Sequence, residues 1–124
     1  MDPALARDGG LSYLEIPAVE IRKSALFYQK VLGFKLRDKR RDPSRFSDRT
    51  GHLIGRFTTE RAANRKAGFL PYFYVERMAA AITAAPKLGG EIKRAPYAEG
   101  NLRVAVLRDP AGNMLGIWKT ADPS

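Results

Sequence analysis

Hydrophobic positions along the chain switch between two periods, and the order of the switches defines its elements. Residues 11–16, Leu-Ser-Tyr-Leu-Glu-Ile, form a short strand-like run that Pro17 and Ala18 break. Residues 20–32 follow a helical period. Ile21, Ala25, Tyr28 and Leu32 fall on one stripe, and Arg22, Lys23, Gln29 and Lys30 lie away from it. Gly33 stops that helix. Residues 34–37 read as a strand, 38–44 as a charged loop or exposed hairpin containing Pro43, and 53–58 as a strand after the turn residue Gly51. A second series follows. Residues 69–75 are a strand, and 76–88 a helix with Met78, Ile82 and Ala85 on one stripe, stopped by Gly89 and Gly90. Pro86 falls inside it, where proline costs about 3 kcal/mol, so the last turn is predicted to fray or kink. A short strand begins at Ile92, residues 102–107 form another, 109–113 a turn, and 114–118 the final strand.

The two series match in residues as well as in order. Val19-Glu20 is followed thirteen positions later by Leu32-Gly33, and Val75-Glu76 thirteen positions later by Leu88-Gly89. The run 51–57, Gly-His-Leu-Ile-Gly-Arg-Phe, lines up with 112–118, Gly-Asn-Met-Leu-Gly-Ile-Trp. The pattern predicts a single α+β domain over residues 1–124 built from two tandem βαβββ units. Unit one spans about 11–58, a polar and basic linker 59–67, and unit two about 68–119. Each unit alone is too small to be stable. Together they can place their helices outside and share a cupped mixed sheet.

Composition adds exclusions. Hydrophobic residues at 44% and charged residues at 28% are ordinary for a globular chain. There is no cysteine, which removes thiolate metal sites, disulfides and Cys nucleophiles, and His52 is the single histidine, so a multi-histidine site cannot form. Residues 1–10 hold no apolar core of signal-peptide length, and the apolar run 69–75 is too short to span a bilayer, so a cytoplasmic protein is expected. The net charge is +9, from 22 Lys and Arg against 13 Asp and Glu. Seven cations fall between residues 35 and 49: Lys35, Arg37, Lys39, Arg40, Arg41, Arg45 and Arg49, offset by Asp38, Asp42 and Asp48. Arg61, Arg65 and Lys66 form a second cluster. The run is either a solvated hairpin or a cationic lip for anionic ligands or nucleic acid. Phe46 alone interleaves it, which gives little for single-strand stacking.

The segments 24–34, Ser-Ala-Leu-Phe-Tyr-Gln-Lys-Val-Leu-Gly-Phe, and 108–113, Arg-Asp-Pro-Ala-Gly-Asn, resemble the vicinal oxygen chelate superfamily. That family includes glyoxalase I, bleomycin-resistance proteins and extradiol dioxygenases. The resemblance runs from about 11 to 119. It implies a cupped sheet around a pocket, and a homodimer with sites between or beside chains. Metal-dependent members set four His or Glu ligands on the first and last strands of each unit. The matching positions here are Tyr13, Gly55, Leu70 and Gly116, and a one-residue slip offers only Arg56 or Ile117. None of these supplies the His or carboxylate donors of a divalent site. Glu15 lies nearby, and His52 aligns with the turn residue Asn113. No metal and no other cofactor is expected, which weighs against Lewis-acid chemistry.

Strand alternation assigns an inner face. Tyr13 and Glu15 point in on the first strand, Leu53, Gly55 and Phe57 on the fourth, and Leu70, Tyr72 and Tyr74 on the fifth. Arg103, Ala105 and Leu107 do so on the seventh, and Met114, Gly116 and Trp118 on the last. Phe57 and Leu70 read as core. Tyr13, Tyr72, Tyr74 and Trp118 read equally as core or as a stacking surface. Glu15 can act as a general base, bind a cationic ligand, or pair with Arg103. The expected function is binding of an aromatic or planar organic molecule by Tyr13, Glu15, Tyr72, Tyr74, Arg103 and Trp118, in the manner of bleomycin-resistance-type proteins. The alternatives are a glyoxalase-like lyase or isomerase with Glu15 as the catalytic base or a metal completed by a partner chain, and nucleic-acid binding through residues 35–49.

Overall fold

The computed structural model describes residues 2–8, 10–63 and 69–121. Unit one contains β1 (Tyr13–Pro17), α1 (Ile21–Leu32), β2 (Lys35–Asp38), β3 (Asp42–Ser47) and β4 (Ile54–Thr58). Unit two contains β5 (Tyr72–Tyr74), α2 (Met78–Lys87), β6 (Glu91–Glu99), β7 (Leu102–Arg108) and β8 (Met114–Thr120). The strands form two mixed four-stranded sheets, ordered β1-β4-β3-β2 and β5-β8-β7-β6. In each, the first and last strands of the unit pair parallel and the remaining pairs are antiparallel. This is the tandem βαβββ fold the repeat predicts. Of the expected linker and second basic cluster, residues 64–67, with Arg65 and Lys66, lie outside the described residues. No helix among the described residues is long and apolar enough to cross a membrane.

The repeat is conformational as well as sequential. Gly33 and Gly89, the two helix stops, have φ of 76° and 89°, a region where only glycine is unstrained. The Gly33 N–H closes α1 on the Gln29 carbonyl at 3.0 Å. The turns before β4 and β8 are also alike. Asp48 Oδ1 accepts the Gly51 N–H at 2.9 Å, and Asp109 Oδ1 accepts the Ala111 N–H at 3.0 Å and the Asn113 N–H at 2.9 Å. Gly51 and Gly112 have φ of 80° and 96°.

Pro86 is accommodated inside α2, next to its last residue. The expected irregularity is confined to the cap, where the Leu88 N–H is shared between the Ala84 and Ala85 carbonyls, each at 3.2 Å. The expected strand 69–75 is shorter, because only residues 72–74 pair with β8, and Phe69 is 96% exposed.

One core serves both units. Ile16, Phe27, Tyr28, Phe34, Phe46 and Phe57 from unit one join Ala81, Ala85, Leu107, Leu115 and Ile117 from unit two in a single buried cluster. Phe34 meets Phe73 across the units, ring centroids 5.7 Å apart. The polar bridge between units is buried as well. The Tyr28 hydroxyl donates to Asp109 Oδ2 at 2.8 Å. Asn113 Nδ2 donates to the same oxygen at 2.7 Å and to the Pro17 carbonyl at 2.6 Å. Burial raises the Asp109 carboxyl above its usual range, against the lowering effect of these hydrogen bonds. It pushes the Tyr28 phenol well up, helped by the neighbouring Asp109 charge. The core faces of both sheets are thereby committed, and their opposite faces stay open.

Candidate functional site

On sheet two the open face is aromatic. Residues paired directly across strands share a face. The ladder therefore places Tyr74, Trp118, Val104 and Tyr97 in one row across all four strands. Tyr72, Gly116, Val106 and Arg94 form the next row. Tyr74 and Trp118 pack edge to face with centroids 5.0 Å apart. The Arg94 guanidinium lies 3.5 Å from the centre of the Tyr97 ring, a cation–π contact. The Tyr72 ring covers Gly116 so closely that a Cβ there would collide with it. Tyr72 and Tyr74 are about half exposed, at 48% and 53%.

The same reading of sheet one gives a charged face. Glu15, Arg56 and Arg45 form one row, and Tyr13, Ile54, Ser47 and Lys35 the next. Arg61 Nε donates to Glu15 Oε1 at 2.6 Å, and Arg56 Nε stands 3.6 Å from Glu15 Oε2. The Tyr13 hydroxyl donates to Glu15 Oε2 at 3.4 Å. The Arg61 hydrogen bond, with the charges of Arg61 and Arg56, holds the Glu15 carboxyl below its usual range. It is thus an ionised, engaged carboxylate.

Tyr13, Glu15, Tyr72, Tyr74 and Trp118 lie on open faces, as alternation predicts. Arg103 does not join them. It pairs with Lys119 and lines a groove of about 810 Å³ beside Arg77 and, on α2, Met78 and Ile82. Its phase is reversed because Val104 and Val106, β-branched residues that suit a core, belong to the open-face rows. Small Ala105 and Leu107 pack inward against Ile117 and Leu115. Glu15 is therefore paired with Arg61 and Arg56, not with Arg103. β4 is also reversed: Gly55 and Phe57 face the core, opposite Leu14 and Ile16, and Leu53 is buried before the strand begins. The cause lies in the preceding turn. Asp48 N–H bonds the Leu53 carbonyl, whereas Asp109 N–H bonds the Asn113 carbonyl. The first turn is one residue longer, so Arg56 rather than Gly55 takes the place of Gly116.

Leu70 precedes β5 and is 37% exposed, so it is not the core residue its apolar character suggests. His52 is an exposed turn residue whose N–H donates to Thr50 Oγ1 at 3.1 Å. Arg37 and Arg45, from the basic run whose functional reading is a cationic lip, join Arg56 on the open face of sheet one. Alternation about the core residues Leu36, Phe46 and Phe57 is the signal that assigns them to the open face.

Among the described residues no three His, Cys, Asp or Glu side chains converge as a metal site would require. The positions that match the family's ligands hold Tyr13, Arg56, Leu70 and Gly116. A guanidinium, a phenol, an isobutyl group and a glycine offer no carboxylate or imidazole and do not fit a divalent cation.

The fold defines a chain of two βαβββ units with an open surface on each sheet. The glyoxalase/bleomycin resistance protein/dioxygenase superfamily model matches residues 10–117, and the chain belongs to that superfamily. A family enzyme from Burkholderia phytofirmans PsJN superposes with a TM-score of 0.69 at 26% identity, over 90% of this chain and 99% of that one. A glyoxalase/bleomycin resistance protein from Albidiferax ferrireducens T118 gives 0.69 at 24% identity, over 87% and 96%. TnmS3, an antibiotic binding protein from Streptomyces sp. CB03234, shares the fold with a TM-score of 0.66 at 16% identity, over 91% and 97%. No curated protein sequence matches the chain.

Proposed function

We propose that the protein binds a planar or aromatic organic molecule without a metal ion. The observation that carries this reading is the row Tyr74-Trp118-Val104-Tyr97, roofed at Gly116 by Tyr72. Half-exposed rings with hydroxyl edges offer stacking area and a few hydrogen bonds, which is the composition of small-molecule sites. Superfamily membership is compatible with this, and the fold neighbour TnmS3 is described as antibiotic-binding. The metal-free part rests on the donor set, in which Arg56 takes the place of a ligand. Elemental analysis of protein purified without chelator should find far less than one divalent ion per chain. A stoichiometric ion overturns the metal-free reading.

Catalysis by Glu15 is the weaker alternative. A general base works best with a pKa near the working pH, and Arg61 moves Glu15 the other way. The protein is proposed to act as a homodimer. Tyr13, Leu70, Tyr72 and Tyr74 stay exposed on one chain, and a second copy would cover part of that apolar area. Light scattering at micromolar concentration should give twice the chain mass, and a monomer there refutes the dimer.

A further inference from the structure

Sheet one's open face carries a cavity and a charge of its own. We propose that this face is an oxyanion site, which takes a planar aromatic molecule carrying a carboxylate, sulfonate or phosphate group. This rests on the reading of the chain as a binder of planar organic molecules.

A cavity of about 320 Å³ opens on that face, and Tyr13, Arg37, Asp42, Ser44, Arg45 and Arg56 line it. Its volume is at the lower end for small-molecule pockets, about 300–1,000 Å³, enough for one substituted ring. Three guanidinium groups face one carboxylate there. Arg56 is shared with Glu15 at 3.6 Å and Glu60 at 3.7 Å. Arg37 and Arg45 stand in none of the ion pairs found among the described residues. Asp42 is turned toward Ser44, accepting its N–H at 3.1 Å and its hydroxyl. These bonds, followed by the Arg45 and Arg56 charges, hold the Asp42 carboxyl low. With Arg56 and Arg61 engaged by Glu15 and Glu60, Arg37 and Arg45 face the single carboxylate of Asp42, and the planar fork of each matches a carboxylate, sulfonate or phosphate edge. The Tyr13 ring beside them gives the ligand's ring a surface to lie on. A cationic ligand is disfavoured here, because Arg61 and Arg56 already cover Glu15, and Arg56 also meets Glu60.

The test compares two fluorescent probes with the same ring systems, anilinonaphthalene sulfonate and the uncharged phenylnaphthylamine. At low salt the sulfonate should bind about tenfold more tightly, the worth of roughly one charge-assisted hydrogen bond. The preference should shrink as salt rises. It should vanish in the R37Q/R45Q double variant, whose two exposed positions leave the fold intact by thermal melting, with phenylnaphthylamine binding unchanged. Equal affinities for the two probes overturn the oxyanion site, as does a preference that survives in R37Q/R45Q. Either result leaves the aromatic site standing. Failure of both probes to bind overturns the aromatic site as well.

Discussion

Tyr28→Phe removes a single oxygen from the point where the two units are joined. The Tyr28 ring touches Phe27, Phe34 and Phe57 with centroids 5.3–5.4 Å away, and phenylalanine keeps all of those contacts. What is lost is the 2.8 Å hydrogen bond to Asp109 Oδ2, made between residues 81 positions apart and buried. Four neutral donors converge on that carboxylate: the Tyr28 hydroxyl, Asn113 Nδ2, and the Ala111 and Asn113 N–H groups. A hydrogen bond to a charged group is worth about 1.5–3 kcal/mol, and with three donors left on Asp109 the loss sits in the lower part of that range. A cost of about 2 kcal/mol lowers Tm by roughly 6–10 °C in a domain of this size. Urea titration at neutral pH measures the free energy, and circular dichroism the melting temperature. The m value should not change, because the surface exposed on unfolding is the same. In an Asp109→Asn background the same substitution should cost at least 1 kcal/mol less, as expected for residues coupled through one network. A Tyr28→Phe loss below about 0.5 kcal/mol, within the range of an ordinary surface change, would refute the argument that this bond secures the units.

Asp109 also predicts a pH dependence. Its folded carboxyl is raised above 3.8. The stability its protonation supplies is therefore fully present below the unfolded value and lost as pH rises through the folded one. The Tm of the wild type should fall relative to Asp109→Asn as pH rises through that window, and parallel curves would count against the burial argument. Gly90→Ala should destabilise the protein by about 1–3 kcal/mol in urea unfolding. A Cβ there meets the buried Phe27 ring and the Arg108 and Ala85 carbonyls, which cannot step aside. Arg61→Ala should raise the Glu15 carboxyl toward 4.5, since the Arg61 hydrogen bond is the largest cause of its lowering. Carbon-13 NMR titration reads this directly, and an unmoved Glu15 would deny the pairing.

The fold was legible because its signals were local and came twice. The apolar stripe of α1, the Leu-Gly stops at Gly33 and Gly89, and the Asp-to-Gly turns at 48–51 and 109–112 each specify a conformation within a few residues. The faces of β1, β5 and β8 followed from alternation, so Tyr13, Glu15, Tyr72, Tyr74 and Trp118 were legible too. The faces of β4 and β7 were not, for two separate reasons. Matching Gly55 to Gly116 hid the extra residue in the first turn, and strand period is unforgiving: one residue exchanges the faces. In β7, valines look more like core than alanine does, yet Ala105 fills the narrow space against Ile117 and the valines support the aromatic row. These two reversals moved Arg103 away from the aromatic face and brought Arg56 onto the open face. Separately, two cations of the basic run, Arg37 and Arg45, line a cavity.

On the proposed function, a planar organic ligand binds the aromatic row without help from a metal. Trp118 is the single tryptophan of the chain and stands in that row beside Tyr74, so its fluorescence reports the site alone. Titrating the protein with a planar aromatic carboxylate that does not absorb at the excitation wavelength, in excess EDTA, should give a saturable change in Trp118 emission. A flat trace, or a change that appears only when a divalent ion is restored, would overturn metal-free binding at this row.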